Sequence, residues 1–149
     1  MLGMQSQLRR KSSAAEGMAV FLHGSGEFGI QAQGVSQHQN ALREVLPANL
    51  ELGQSQPCVA TLVLTGRQSY ERNWVSIVIE HRTIGYCPAD FAAPYRAWLQ
   101  RWRLESALVQ CRATIIRARG NPGIELRYGA RLDVELPFKM TTTNELDER

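Results

Sequence analysis

The sequence lacks long apolar runs and paired cysteines, and these absences exclude several classes of protein. Its longest apolar stretches, such as Val59–Leu64 and Val75–Ile79, are far shorter than the roughly 20 residues that a transmembrane helix needs. The segment Ser12–Met18, after the basic triplet Arg9–Lys11, is polar where a secretory signal is apolar. None of the three cysteines stands in a C-x-x-C pair, so neither disulfides nor a zinc site is predicted. We therefore expect a cytoplasmic protein with reduced thiols and no membrane contact.

Lysine is almost absent as well, and the positive charge comes from arginine. Only Lys11 and Lys139 are lysines among the 17 basic residues, against 14 acidic residues. Arginine suits bidentate phosphate contact and stacking on rings, although a GC-rich genome produces the same bias. Residues 30–139 hold 13 basic and 9 acidic side chains, which permits a nucleic-acid partner without requiring one.

The length of 149 residues suits one domain with a substantial core. Residues 1–16 are polar and aperiodic and predict a disordered lead-in, and residues 140–149 predict a disordered, acidic tail. A single domain is expected over residues 17–139.

Short β-branched segments and glycine turns predict a mostly antiparallel sheet. The predicted strands are Met18–Leu22, Phe28–Ala32, Val59–Leu64, Trp74–Ile79, Thr83–Tyr86, Leu108–Arg117 and Ile124–Leu136. The first two are expected to form a hairpin around Gly24–Gly26, and the last two around Asn121–Gly123. Apolar spacings of three and four predict a helix over Gln39–Leu46 and a second from Pro94, preceded by a separate turn at Pro88–Ala92. The predicted fold is α+β, a partly open β-barrel of OB or SH3 type with about six or seven strands and two short helices.

Gly24–Gly29 spells G-x-G-x-x-G after a predicted strand, which is the pattern of a dinucleotide-binding turn. That turn requires a helix directly after it. Phe28, Ile30 and Ala32 instead alternate like a strand, so an ordinary turn is favoured. No metal-ligand spacing links the histidines, and neither a nucleophile elbow nor a Walker loop is present. We expect no metal, no other cofactor and no catalytic residue.

Two polar, aromatic segments, Gln68–Asn73 and Ile84–Pro88, stand at the ends of predicted strands and are expected to meet at one mouth of the barrel. Tyr70 and Tyr86 offer ring faces on which unpaired bases stack. The structural alternative is that both tyrosines are rim residues of the core. The further candidate contacts are Arg67, Arg72 and Arg82 for phosphates, and Glu71 and Asn73 for a base edge or a terminal hydroxyl.

Gly34–Leu42, Tyr70–Val75 and Ile84–Pro88 form three blocks whose order and content resemble the HIRAN domain family. The second block is similar to the family pattern N-P-Y-D-x-N-A-V, and the third to V-G-Y-L-P before a helix. The resemblance covers residues 30–138, and its third block is the most specific. The chain departs from the pattern at Glu71, where the family has Asp, and at Trp74, where it has Ala.

HIRAN domains occur as free-standing bacterial proteins and as modules of DNA translocases that remodel stalled replication forks. The resemblance implies a non-catalytic β-barrel that binds single-stranded DNA or DNA 3′ ends in DNA repair or replication, with a helicase or translocase as protein partner. RNA stays open as a ligand. The family's pocket roles would fall on Tyr70, Glu71 and Tyr86, and on Gln37 and His38 of the first block.

A second hypothesis keeps the barrel without a DNA pocket. A protein partner would then bind the aromatic stripe of the second helix or an open strand edge. Exposure of Trp98 or Trp102 would favour it. The oligomeric state is left open by the sequence.

Overall fold

The computed structural model describes residues 17–46, 50–65, 74–118 and 128–142. These residues form an α+β fold with a strongly curled sheet and two short helices, so the predicted fold class is confirmed. The strands are β1 (Ala19–Leu22), β2 (Ile30–Gln31), β3 (Ser55–Thr65), β4 (Trp74–Ile79), β5 (Arg82–Tyr86), β6 (Leu108–Arg117), β7 (Tyr128–Asp133) and β8 (Met140–Thr142). The helices are α1 (Gln39–Val45), which follows a 3₁₀ turn over Val35–His38, and α2 (Ala89–Arg101).

The main path of the sheet runs β2, β7, β6, β3, β4, β5, and β1 and β8 extend it beside β6. β6 is paired along both of its edges. β3 lies along one edge, and β1 and β7 share the other. The pairing of β1 with β6 is parallel, and the other strand pairs are antiparallel. Glu80 and His81 join β4 to β5 with positive φ at both residues, as a tight two-residue hairpin requires.

The two ends of this path meet where β5 approaches the chain just after β2. Gln33 N donates to Tyr86 O at 2.7 Å, and Tyr86 N donates to Gln33 O at 2.9 Å. Gly85 permits this approach, because a Cβ atom at Gly85 would lie 2.8 Å from Gln33 O. The barrel is therefore closed at the level of Tyr86.

Alternate side chains of the strands fill the barrel. In β6 the residues Val109, Cys111, Ala113 and Ile115 are buried and their neighbours are more exposed, which is the period-two pattern of a strand with one face in the core. α2 adds an aromatic stripe, in which Phe91, Tyr95 and Trp98 pack against Phe138. The core is thus continuous from the sheet to α2.

The hairpin predicted around Gly24–Gly26 is wrong. β1 pairs with β6 and β8, whereas β2 pairs with β7. The buried Asp133 holds the chain between β1 and β2 in a different path, because its carboxylate accepts hydrogen bonds from Gly26 N and Phe28 N. A side chain distant in sequence therefore decides the path of this segment.

The break predicted before Pro94 is also wrong, since α2 is continuous from Ala89 to Arg101. Pro94 has no N–H for the carbonyl of Asp90, and this costs the first turn one hydrogen bond. Both residues are exposed, so water can hydrate that carbonyl. Phe91 and Tyr95 are buried on the opposite side and hold the helix on the barrel.

Other boundaries shift by a few residues. The tail predicted from residue 140 begins with β8, which pairs with β1, so this boundary was placed too early. The predicted lead-in over residues 1–16 and the predicted turn at Asn121–Gly123 lie outside the described residues. Among those described, neither helix has the length and apolar character to span a bilayer.

Candidate nucleic-acid groove

An open groove of about 940 Å³ lies where the closed end of the barrel meets the start of α2. Its volume is at the upper end of the roughly 300–1,000 Å³ of small-ligand sites. Its lining is a mixture of aromatic, amide and small apolar residues: Gln33, Gly34, Gln37, Trp74, Tyr86, Cys87, Pro88, Ala89, Ala92 and Ala93. The groove therefore combines residues of the first and third sequence blocks with Trp74 of the second block.

Tyr86 is held in the groove by its backbone hydrogen bonds and by the close approach of the chain at Gly34 and Gly85. Its N–H and carbonyl close the barrel with Gln33. Gly34 adopts φ of +71° and turns the chain directly beneath the tyrosine ring, where an added Cβ would lie 3.1 Å from Tyr86 Cδ2. A larger residue at position 34 would be strained and would push on the ring, so glycine here serves the shape of the groove.

Tyr86 is the middle ring of a row of three aromatic side chains. Trp74 lies on one side with ring centroids 4.9 Å apart and an interplanar angle of 69°. His38 lies on the other side at 5.7 Å and 67°. Such edge-to-face contacts are favourable beyond area burial. They hold the rings in place, and Trp74 still remains 40% exposed.

The described lining carries no charged side chain. Besides Tyr86 and Cys87, its polar side chains are the exposed amides of Gln33 and Gln37. Gln33 Nε2 donates to Gln31 O at 3.3 Å. Amides can both donate and accept hydrogen bonds, as the edges of nucleobases do. His38 packs against Tyr86 from outside the lining, and its buried Nε2 has no hydrogen-bond partner among the described residues. The lining thus suits a planar ligand with mixed donors and acceptors.

The predicted site residues have different outcomes. Gln37 and Tyr86 line the groove, and His38 contacts Tyr86 from outside the lining. Arg82 lies at the other end of β5 and forms an ion pair with Glu44 of α1, so its guanidinium is already engaged. The remaining candidates lie outside the described residues: Arg67, Tyr70, Glu71, Arg72 and Asn73.

Sequence reasoning missed Gln33 and Trp74 as groove residues. Trp74 was expected only as a departure from the family pattern, yet the register of β4 with β5 pairs Ser76 with Tyr86 and so places Trp74 on the same face as Tyr86. The alternation of side chains along β4 indicates that Trp74 and Ser76 share a face, because side chains two residues apart in a strand lie on the same side. No local sequence pattern indicated Gln33, because its place in the groove depends on closure of the barrel.

The groove offers no activated nucleophile among the described residues. Cys87 lines it, but burial, reinforced by Cys111, raises the pKa of the Cys87 thiol far above its ordinary value and keeps it protonated. A protonated thiol is a poor nucleophile. Within the described ranges, no three His, Cys, Asp or Glu side chains come together as metal ligands.

The G-x-G-x-x-G loop lies elsewhere and is already occupied by the protein itself. Gly26 N lies 3.0 and 3.1 Å from the two carboxylate oxygens of Asp133, and Phe28 N lies 3.3 Å from one of them. A loop of successive N–H donors is an anion-binding shape. Here the anion is an internal side chain that is 3% exposed.

Comparisons with protein families, with curated proteins and with solved structures gave no match for this chain. The groove and the sequence pattern are therefore the features of this chain that indicate a function.

Proposed function

We propose that the groove binds single-stranded nucleic acid and that the protein is a non-catalytic binding module, with single-stranded DNA or DNA ends in repair or replication as its ligand. The observation that carries the proposal is the pairing of Tyr86 and Trp74 in an open groove, beside the amides of Gln33 and Gln37. Ring faces bind unpaired bases by stacking, at about 1–3 kcal/mol for each base.

The sequence resemblance supports the same proposal. Each of the three blocks that resemble HIRAN domains contributes to the groove, and the second block does so through Trp74. Cytoplasmic localisation, and a helicase or translocase as protein partner, belong to this proposal as well.

The absence of cations from the described lining changes the salt dependence that we expect of binding. Arginine contacts to phosphates would make binding steeply dependent on salt, but the described lining has no cation and Arg82 is paired with Glu44. Affinity should then come mainly from bases. For single strands the slope of log affinity against log salt is about −0.7 per neutralised phosphate, so we expect a slope no steeper than about −1.4.

A second candidate function is binding of a protein segment at the same groove or beside α2. A groove whose described lining is uncharged and includes Trp, Tyr and Pro side chains also suits extended proline-rich peptides. Trp102, at the end of α2, is 53% exposed and is available to a partner, whereas Trp98 is half-buried against Tyr95 and Phe138.

Fluorescence anisotropy with labelled single-stranded and double-stranded DNA of one sequence tests the proposal. We expect binding of the single strand and at least about tenfold weaker binding of the duplex, because duplex bases cannot reach the rings. Trp74→Ala should weaken single-strand binding about tenfold, as loss of one stacking platform predicts. Trp102→Ala is the matched control, since it removes an exposed tryptophan outside the groove.

Two further ligands complete this experiment. A strand with a blocked 3′ end distinguishes end recognition from general strand binding, and an RNA strand tests the sugar. A proline-rich peptide that binds in a Trp74-dependent manner, with no binding of any nucleic acid, would replace the proposal by the second candidate.

A further inference from the structure

The angle between the two groove rings restricts which strands can use both of them. Trp74 and Tyr86 stand at 69° to each other with centroids only 4.9 Å apart. Neighbouring bases in a stacked strand are nearly parallel and about 3.4 Å apart. Parallel bases cannot lie flat on two rings that are close to perpendicular. A strand that covers both rings must therefore unstack between two successive bases.

We propose that the groove selects strands whose neighbouring bases stack weakly, and that it prefers pyrimidine-rich over adenine-rich single strands. This inference rests on the proposed function and specifies its ligand class. Sequence preferences of single-strand binders arise from stacking strength and backbone flexibility. An adenine run must give up its own base stacking to reach the second ring, whereas a thymine run gives up little.

The uncharged lining makes this preference visible in binding data. Phosphate contacts contribute equally to oligo-dT and oligo-dA of one length, and the described lining adds no cation. The ratio of the two affinities should therefore be nearly independent of salt concentration. A charge-dominated site would instead bind both strands with similar affinity.

The amides of Gln33 and Gln37 offer a different route to base preference, through hydrogen bonds to base edges. The two routes predict opposite results for variants of Trp74 and Gln37. Stacking geometry predicts that loss of the Trp74 ring equalises the strands. Base-edge recognition predicts that loss of the Gln37 amide does so.

The test measures anisotropy of oligo-dT, oligo-dC and oligo-dA of about 12 nucleotides, within the roughly 4–16 nucleotide sites of single-strand-binding barrels. We expect wild-type protein and Trp102→Ala to bind oligo-dT at least about fivefold more tightly than oligo-dA, with oligo-dC close to oligo-dT. Trp74→Ala should reduce this ratio to less than about twofold, while Gln37→Ala should retain it. Circular dichroism confirms that each variant is folded.

Each outcome decides something different. Equal or tighter binding of oligo-dA overturns the pyrimidine preference but leaves single-strand binding intact. A ratio that survives Trp74→Ala and disappears in Gln37→Ala also overturns it, in favour of base-edge recognition. If none of the three strands binds, the proposed function itself fails.

Discussion

Two regions of this protein use glycine to bring polar groups close together, and only one of them is open to a ligand. In the loop from Gly24 to Gly29 the backbone donors converge on the carboxylate of Asp133. In the groove, Gly34 and Gly85 bring Gln33 and Tyr86 together, and the rings and amides around them still face solvent. The first region has the stronger ligand-binding motif in sequence, and the second has the free surface.

The difference shows that a motif becomes a site only if its groups stay uncommitted. The N–H donors of the glycine loop would suit a phosphate, but an internal carboxylate already neutralises them. The groove has a less distinctive sequence, yet its rings are held by contacts with one another while Trp74 remains 40% exposed. Substitutions should therefore affect stability in the first region and binding in the second.

The largest effect is expected from Gly24→Ala. A Cβ atom there would lie 2.2 Å from Asp133 Cγ and 2.4 Å from the Asp133 carbonyl oxygen, so the loop and Asp133 must separate. We expect a loss of about 3 kcal/mol of unfolding free energy from overpacking and broken hydrogen bonds, measured by urea unfolding. Gly29→Ala is the control, because no atom of the described residues, apart from its chain neighbours, lies within 4 Å of its Cβ position. Single-strand affinity of the folded Gly24→Ala protein should be unchanged; a large loss of affinity would break the comparison.

Gly85→Ala should combine a smaller loss of stability with a loss of binding. Its Cβ would lie 2.8 Å from Gln33 O and 3.1 Å from Val35 Cγ1, at the bond that closes the barrel. We expect about 2 kcal/mol of destabilisation and about tenfold weaker binding of single strands, because Tyr86 shifts with its backbone. Binding that is unaffected while stability falls would separate the groove from barrel closure.

Alkaline pH tests how well the interior behind the groove is closed. Burial, reinforced by Asp133 and then Cys58, raises the pKa of the Cys111 thiol from 9.0 to about 12. The folded state then holds this proton more tightly than the unfolded state does. Stability is therefore complete below about pH 9 and falls as pH rises toward 12, by about 1.4 kcal/mol per pH unit for this thiol.

Urea unfolding between about pH 8 and pH 10.5 measures this slope. Cys111→Ala should start from lower stability and show a shallower pH dependence. An equal slope in both proteins would mean that Cys111 is not the responsible group.

The smallest effect is expected from a single charge at the rim of the groove. Ala93 and Ala97 are both exposed on α2, one turn apart, and Ala93 lines the groove. At low salt, Ala93→Glu should weaken single-strand binding about fivefold and Ala93→Arg should strengthen it, since phosphates repel one and attract the other. Ala97→Glu is the control and should change affinity less than about twofold. If both Ala93 variants weaken binding equally, the effect is steric.

Local pattern was sufficient where a strand or helix is defined by its own residues. β4 and β6 have the predicted bounds, because both are rich in β-branched residues. Buried and more exposed side chains alternate along β6, whereas β4 is buried at three successive residues. The spacing of apolar residues predicts a buried stripe over Phe91, Tyr95, Trp98, Leu99 and Trp102. Phe91, Tyr95 and Leu99 are buried, Trp98 is half-buried, and Trp102 is 53% exposed. Gly85 and Tyr86 were recognised as a motif, and Tyr86 does line the groove.

Partners distant in sequence decided the rest. β1 pairs with β6 and β8 instead of its neighbour β2, and the fate of the glycine loop depends on Asp133, 107 residues after Gly26. Gln33 becomes a groove residue only because the curled sheet brings β5 to it. The sequence by itself determined the elements, since burial periodicity is local. Only the tertiary structure decided which polar groups satisfy each other and which remain open, because that depends on contacts that close across the whole barrel.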